Sequence, residues 1–179
     1  MALLSSPEFE KLQWSSLQPN GFSDMVLASA AEHIKEYRKT GQQSTVSLIL
    51  NADTPTGIID PREVGVFAAH LLAQEDTTAH NKAKYVLNGP EDITGEQIIA
   101  MVEERTGTRV ENVKYKDLSF IDDWAATIQE SKNVILSIKR APATSWAGLA
   151  TTSTTSKEVL ELAPPTRTPK DVLDSLLNA

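Results

Sequence analysis

The sequence predicts an α/β fold, because short apolar runs suited to strands alternate with longer amphipathic stretches suited to helices. The plainest instance is residues 57–72, Gly-Ile-Ile-Asp-Pro-Arg-Glu-Val-Gly-Val-Phe-Ala-Ala-His-Leu-Leu, which reads as a buried strand feeding a capped helix. Asp60 is a good N-cap, Pro61 suits the first helical position, where a missing N–H costs nothing, and Glu63 completes an acidic box three residues after the cap. Val64, Phe67, Ala68, Leu71 and Leu72 then recur at helical spacing, so one face packs inward while Arg62, Glu63 and His70 lie off it. The length points the same way: 179 residues with 40% hydrophobic content can bury a real core, and about one domain is expected over 1–179.

From the start of the chain, Leu3, Leu4, Phe9 and Leu12 surround Pro7 and suggest one helix over residues 3–12, broken or started at the proline. Residues 14–18 read as a strand, ended by Pro19-Asn20-Gly21, a turn cluster in which glycine permits positive φ. A helix over residues 23–39 places Met25, Leu27, Ala28, Ala31, Ile34 and Tyr37 near one side, with Gly41 as its C-terminal cap. The apolar run 46–50 is a strand, and 51–57 supplies turn chemistry before the Ile58-Ile59 strand and the central helix, which runs to about Gln74.

After a polar loop at 76–82, residues 84–88 form a strand and Gly89-Pro90-Glu91-Asp92 a turn. Thr94 begins the next helix, with Gln97 placed as in a capping box, and Thr106-Gly107 stops it. Residues 109–115 suggest a further strand, and 118–138 a mostly helical segment with a break near Asn133. Residues 141–156 are rich in Ala, Ser, Thr and Gly, the composition of a loop that either lids a pocket or is loosely ordered. Two short helices close the chain after it, one begun by Thr155 with Glu158 and one by Thr168 with Asp171, separated by Pro164-Pro165.

Composition removes several functions. Lys plus Arg number 17 against 24 Asp plus Glu, a net charge of −7, which disfavours a nucleic-acid backbone or an anionic membrane as partner. The basic cluster Lys35, Arg38 and Lys39 fits the last turn of a helix, where cations complement the dipole. With no cysteine, disulfides, thiolate catalysis and Cys-ligated metals are excluded. No apolar run approaches the roughly 18 residues of a membrane span, so a cytoplasmic setting is expected.

The chemistry-bearing motifs are mostly missing. There is no Gly-x-Gly-x-x-Gly, no Gly-x4-Gly-Lys-Ser/Thr, no Gly-x-Ser-x-Gly and no Tyr followed four residues later by Lys. His33, His70 and His80 lack metal-ligand spacing and are expected at the surface. Glu103-Glu104 and Asp122-Asp123 diverge by roughly 100° on a helix, so they read as solvated faces rather than catalytic pairs. Trp14 and Trp124 fit core positions, and Trp146 is either a pocket wall or a hydrophobic pin. The candidate site is Pro19-Asn20-Gly21-Phe22, at the C-terminal end of a buried strand, where ligands dock in open α/β sheets; the alternative is a turn with a helix-capping Asn.

Four stretches in order resemble the NmrA-like family of atypical short-chain dehydrogenases: Trp-Ser-Ser-Leu-Gln-Pro-Asn-Gly-Phe (14–22), Gly-Ile-Ile-Asp-Pro-Arg-Glu-Val-Gly-Val-Phe-Ala-Ala (57–69), Lys-Tyr-Val-Leu-Asn-Gly-Pro-Glu-Asp-Ile-Thr (84–94) and Pro-Pro-Thr-Arg-Thr-Pro-Lys-Asp-Val-Leu (164–173). The resemblance covers nearly all of this chain but only the C-terminal half of such a protein. It implies the C-terminal, substrate-side part of a Rossmann-type NAD(P)-binding fold, without the N-terminal glycine-rich βα unit. Some members are NAD(P)H-dependent reductases of small carbonyls, enones or quinones, and others are redox-sensing regulators without turnover.

In such proteins the segment matching Leu17 to Phe22 borders the nicotinamide end of the cofactor and the substrate pocket, so the resemblance implies Pro19, Asn20 and Phe22 as residues that contact NADP. The family's catalytic lysine or tyrosine would lie upstream, so no catalytic residue is assigned here. A half-sheet of this kind exposes an apolar edge, costing about 25 cal/mol per Å² left uncovered, so a protein partner or a second copy is expected to cover it. The alternative is a fragment of a longer protein, with Met1-Ala2 standing where an internal helix would be.

Overall fold

The computed structural model describes residue 4, residues 6–129 and residues 131–179. What was expected of Met1-Ala2 and Leu3, and of residue 130 in the 118–138 helix, lies outside them. Strands β1 (Ser15–Pro19) and β2 (Gly21–Phe22) form one extended run that changes partner at Asn20. β1 pairs in parallel with β5 (Ala83–Leu87), and β2 in parallel with β4 (Thr56–Ile59). β4 also pairs antiparallel with β6 (Asp92–Ile93), and β3 (Val46–Leu48) pairs in parallel with β7 (Val113–Tyr115). The α/β expectation holds, in a mixed sheet arrangement.

Pro19-Asn20-Gly21 is therefore not a turn. Asn20 N–H donates to Leu87 O at 3.1 Å, continuing the β1–β5 ladder, and Gly21 keeps a negative φ. The chain enters α1 (Ser23–Thr40) straight from strand, with Phe22 extended at φ −69° and ψ 125° in the cap position, so Asn20 caps nothing. Gly41 does end α1 in the left-handed conformation, at φ 72°. The buried face of α1 is Val26, Leu27, Ala30, Ala31, His33 and Ile34, whereas Met25, expected inward, is 44% exposed.

Two cores sit on either side of the strands. One joins α1 to β3, to α3 (Gly95–Thr106) and to α8 (Pro169–Asn178) through Leu27, Ile34, Leu48, Ile98, Val102 and Leu173. The other joins α2 (Pro61–Leu72) and α7 (Lys157–Leu162) to β5 through Phe67, Leu71, Tyr85, Leu87 and Val159. Each fully buried Leu, Ile or Phe contributes about 1.5–3 kcal/mol, so these clusters fix where the strand ends fall. Leu72, placed by its spacing on the inner stripe of α2, is instead 86% exposed on the last turn.

The caps follow the sequence in part. Asp60 Oδ1 accepts from Arg62 N–H at 2.8 Å and starts α2, and both Thr94–Gln97 and Thr168–Asp171 form reciprocal capping boxes. Glu63 does not complete a box at Asp60; its Oε1 accepts from Thr166 N–H at 2.5 Å and Arg167 N–H at 3.0 Å, holding the segment that leads into α8. The cap of α7 is Ser156 rather than Thr155. Of the expected 3–12 helix, the described residues show a 3₁₀ turn at Pro7–Phe9, and the 118–138 helix divides into α4 (Ser119–Thr127) and α5 (Lys132–Ser137), breaking ahead of Asn133. No described helix is long and apolar enough to cross a membrane.

Candidate functional site

Where β1 passes into β2, the strand end, the N-terminus of α1, α4 and the 138–150 segment enclose a cavity of about 300 Å³. Pro19, Asn20 and Phe22 all line it, beside Met25 of the first turn of α1. They share one wall because the run into the helix is extended, placing Asn20 and Phe22 two residues apart on one side of the strand. Facing them are Phe120 and Ile121 of α4 and Pro142 and Ser145 around α6 (Ala143–Trp146). Among the described residues no ionisable side chain lines this cavity.

Its polar groups are few and held in place. Asn20 Nδ2 donates to Asn88 Oδ1, and Asn88 is wholly buried. Thr56 Oγ1 and Ser145 Oγ lie 2.8 Å apart, both buried, and Gly57 N–H donates to Ala150 O at 2.7 Å, tying β4 to the far wall. The 141–156 segment, expected to lid a pocket or to be loosely ordered, forms that wall through α6 and a 3₁₀ turn at Thr152–Thr154. Trp146 is the pin of the two readings: its Nε1 donates to Ile49 O at 2.8 Å, and Lys116 Nζ stands 5.4 Å from the ring centroid. Just ahead of α4, Asp117 accepts from Ser119 N–H at 2.9 Å, which holds its carboxyl below the ordinary value.

Other expected residues stand apart. His33 is 3% exposed with Nδ1 3.0 Å from Ser44 Oγ, and His80 is 9% exposed, so neither is a surface histidine; His70 is exposed. His80 Nε2 lies 2.9 Å from Gln74 Oε1 and Nδ1 lies 2.5 Å from the Tyr85 hydroxyl. Because an amide oxygen only accepts, Nε2 carries the proton and Nδ1 receives the tyrosine's. Burial first, and Glu158 second, push the Tyr85 phenol above its ordinary value. Of these three, His80 lines a second hollow of about 400 Å³ beside Trp14 and Leu72.

Trp124, expected in the core, is 45% exposed on α4. Glu103, expected as a solvated face, is half-buried and accepts from Val110 N–H at 2.9 Å. Among the described residues no group of His, Asp or Glu is arranged to hold a metal. Asn88, Thr56, Ser145 and Phe120 were not singled out from sequence. Asn88 carried a signal, a polar residue closing the apolar run Tyr-Val-Leu before Gly-Pro; Thr56 and Ser145 meet only through the tertiary fold.

No protein-family model and no curated protein sequence matches the chain. Solved structures do. The NADPH-dependent quinone oxidoreductase of Escherichia coli, in complex with NADPH, matches at 20% identity over 89% of this chain and 52% of its own, with a TM-score of 0.59. The Citrobacter sp. triphenylmethane reductase complexed with NADP(H) matches at 17% identity over 88% of this chain and 51% of its own, TM-score 0.57. A nucleoside-diphosphate-sugar epimerase of Staphylococcus aureus matches at 16% identity over 90% and 52%, TM-score 0.54. The chain thus spans about half the length of each of these structures. It has a mixed α/β fold of the Rossmann type, that of the matched half of these reductases and this epimerase.

Proposed function

We propose that the cavity is the substrate pocket of an NAD(P)H-dependent oxidoreductase acting on a small organic carbonyl, enone or quinone. The observation that carries this reading is that Pro19, Asn20 and Phe22 line a single uncharged cavity at the end of a parallel strand. A pocket at a strand end, apolar with a few placed polar groups, is the usual site for a small ligand. The fold shared with NADPH-complexed reductases supports it. The finer assignment, to the NmrA-like family and to its C-terminal part, rests on the four sequence stretches and on the half-length match. A cytoplasmic setting belongs to the same proposal.

The residues present fit only one end of NADP. The uncharged cavity accepts a neutral ring, with Pro19 and Phe22 against it and the Asn20 amide at its edge. The phosphates find no cation among the described residues of its lining and no glycine-rich turn in the sequence. What these residues do in the pocket is exclude water from the reacting group and offer it the Asn20 amide and the Thr56–Ser145 hydroxyl pair. The test is a titration of the chain with NADPH, read by nicotinamide fluorescence and by melting temperature, since a ligand that binds the folded state raises its stability. A saturable response supports the oxidoreductase reading; a folded sample that does not respond removes cofactor binding from this chain.

A second reading, a non-catalytic redox-sensing regulatory or protein-interaction half-domain, is favoured by the β1 edge. Among the described residues β1 pairs with β5 alone, and Leu72 and Trp14 line the hollow beside it. Open strand edges invite pairing with another chain. A partner that co-purifies at fixed stoichiometry and is lost on Leu72→Glu would support this reading, and a monodisperse monomer indifferent to that change would remove it.

A further inference from the structure

The hydrogen bonds behind the cavity run in one direction only. Thr154 Oγ1 donates to Thr151 O at 2.6 Å, and Thr155 Oγ1 donates to Thr152 O at 2.7 Å. Each hydroxyl has one hydrogen, so both can only accept from whatever faces them next. What faces them is Asn88 Nδ2, at 3.3 Å from Thr154 Oγ1 and 3.0 Å from Thr155 Oγ1. The Asn88 amide is thereby locked with its nitrogen toward the threonines and its oxygen toward Asn20. Asn20 must then present its nitrogen to Asn88, and among the described residues its own Oδ1 takes no hydrogen bond, on a residue that lines the cavity.

We propose that Asn88 is a positioning residue that sets ligand specificity: it holds Asn20 so that Oδ1 acts as a fixed acceptor in a largely apolar pocket. The ligand class follows. A favoured molecule is neutral and largely apolar, to suit a cavity lined by Phe22 and Phe120, and carries a hydroxyl or N–H group to donate to Asn20, besides any carbonyl that reacts. An ether or ketone of the same outline leaves Asn20 Oδ1 desolvated and unpaired, which is where discrimination arises. Gly57 makes room for the device. A Cβ there would fall 2.8 Å from Asn88 Cγ and 2.9 Å from Asn88 Cβ.

This inference rests on the pocket reading above, and the experiment separates the two. Binding of 2-naphthol and of 2-methoxynaphthalene to the full chain is measured by calorimetry, the first able to donate a hydrogen bond and the second not. The expected result is a preference of about tenfold for the naphthol, the size of one net hydrogen bond. Asn20→Leu should abolish the preference; one that survives is steric and overturns the proposal. Asn88→Leu frees the Asn20 amide to turn over, and should cut the preference to about threefold or less while ether affinity stays within about twofold. Should Asn88→Leu fail to fold, Thr155→Val loosens the lock from the far side and should lower the preference in the same direction. A ratio unchanged in the folded variants overturns the role of Asn88. Equal binding of the two probes overturns the inference and leaves the pocket standing, whereas binding of neither overturns both.

Discussion

Thr56 Oγ1 and Ser145 Oγ meet 2.8 Å apart across 89 positions of sequence, in a buried contact that closes the cavity between β4 and α6. Thr56→Val leaves the Ser145 hydroxyl without this partner, and losing one side of a buried pair costs about 1–3 kcal/mol. Urea unfolding should show that loss for Thr56→Val and for Ser145→Ala. The double variant should fall short of the sum, because only one interaction is removed. Full additivity would mean that the two hydroxyls do not depend on each other.

Glu63 gathers the approach to α8 through one oxygen, with Oε1 accepting from Thr166 N–H and Oγ1 and from Arg167 N–H. Beside it Arg167 Nε stands 2.6 Å from Asp60 Oδ2, a charge contact rather than a directed hydrogen bond. Glu63→Ala should lower stability by about 1–3 kcal/mol, since charge-assisted bonds are among the stronger ones. Limited proteolysis should show new cleavage around Pro164 to Thr168. Cleavage and stability unchanged from the parent chain would show that the segment is held by α8 packing alone.

Gly57→Ala places a methyl group against Asn88, whose Cγ and Cβ would lie 2.8 and 2.9 Å away. Overpacking of this kind costs about 1–3 kcal/mol. Asn88→Ala makes space for that methyl, so the double variant should be more stable than the two single effects add up to. A Gly57→Ala chain with parental urea midpoint would show that Asn88 can move aside.

The capping box of α8 gives a pH signature. The Thr168 hydroxyl and then the Thr168 backbone N–H hold the Asp171 carboxyl below its ordinary 3.8. A depressed carboxylate contributes stability above its unfolded value, and that contribution is lost as pH falls through the folded one. Thr168→Val should therefore be less stable than the parent at pH 7, and the gap should narrow once pH drops below about 4. A gap of constant size down to pH 2 would assign the effect to packing instead.

How much was legible depended on whether a feature was local. The Asp60 start of α2, the Thr94–Gln97 and Thr168–Asp171 boxes and the Gly41 stop are each written within four residues, and each forms as read. Pro19, Asn20 and Phe22 could be placed together because they share one strand end. Long-range competition decided the rest. Pro-Asn-Gly carries turn chemistry, yet pairing first with β5 and then with β4 keeps it extended. Thr155 looked like a helix cap, but its hydroxyl is drawn to Thr152 O and Asn88 instead. Met25 and Leu72 fit an inward stripe by spacing, yet both are exposed, Met25 at the cavity and Leu72 at the second hollow, instead of packing in the core. Opposite Asn20, the Asn88 half of the polar arrangement lies 68 residues away, beyond the reach of any local pattern.

The cavity is assembled from pieces that lie far apart along the chain, around Asn20, Ile49, Phe120 and Ser145. No subset of neighbouring elements contains it, so during folding its walls come together only after the long loops between them have closed, and loop closure of this kind is slow. Ligand-binding competence should accordingly appear in step with the last cooperative event of refolding rather than with early helix formation. By the same token a bound ligand would act as a clasp on the whole chain, slowing its global opening more than the fraying of any single helix.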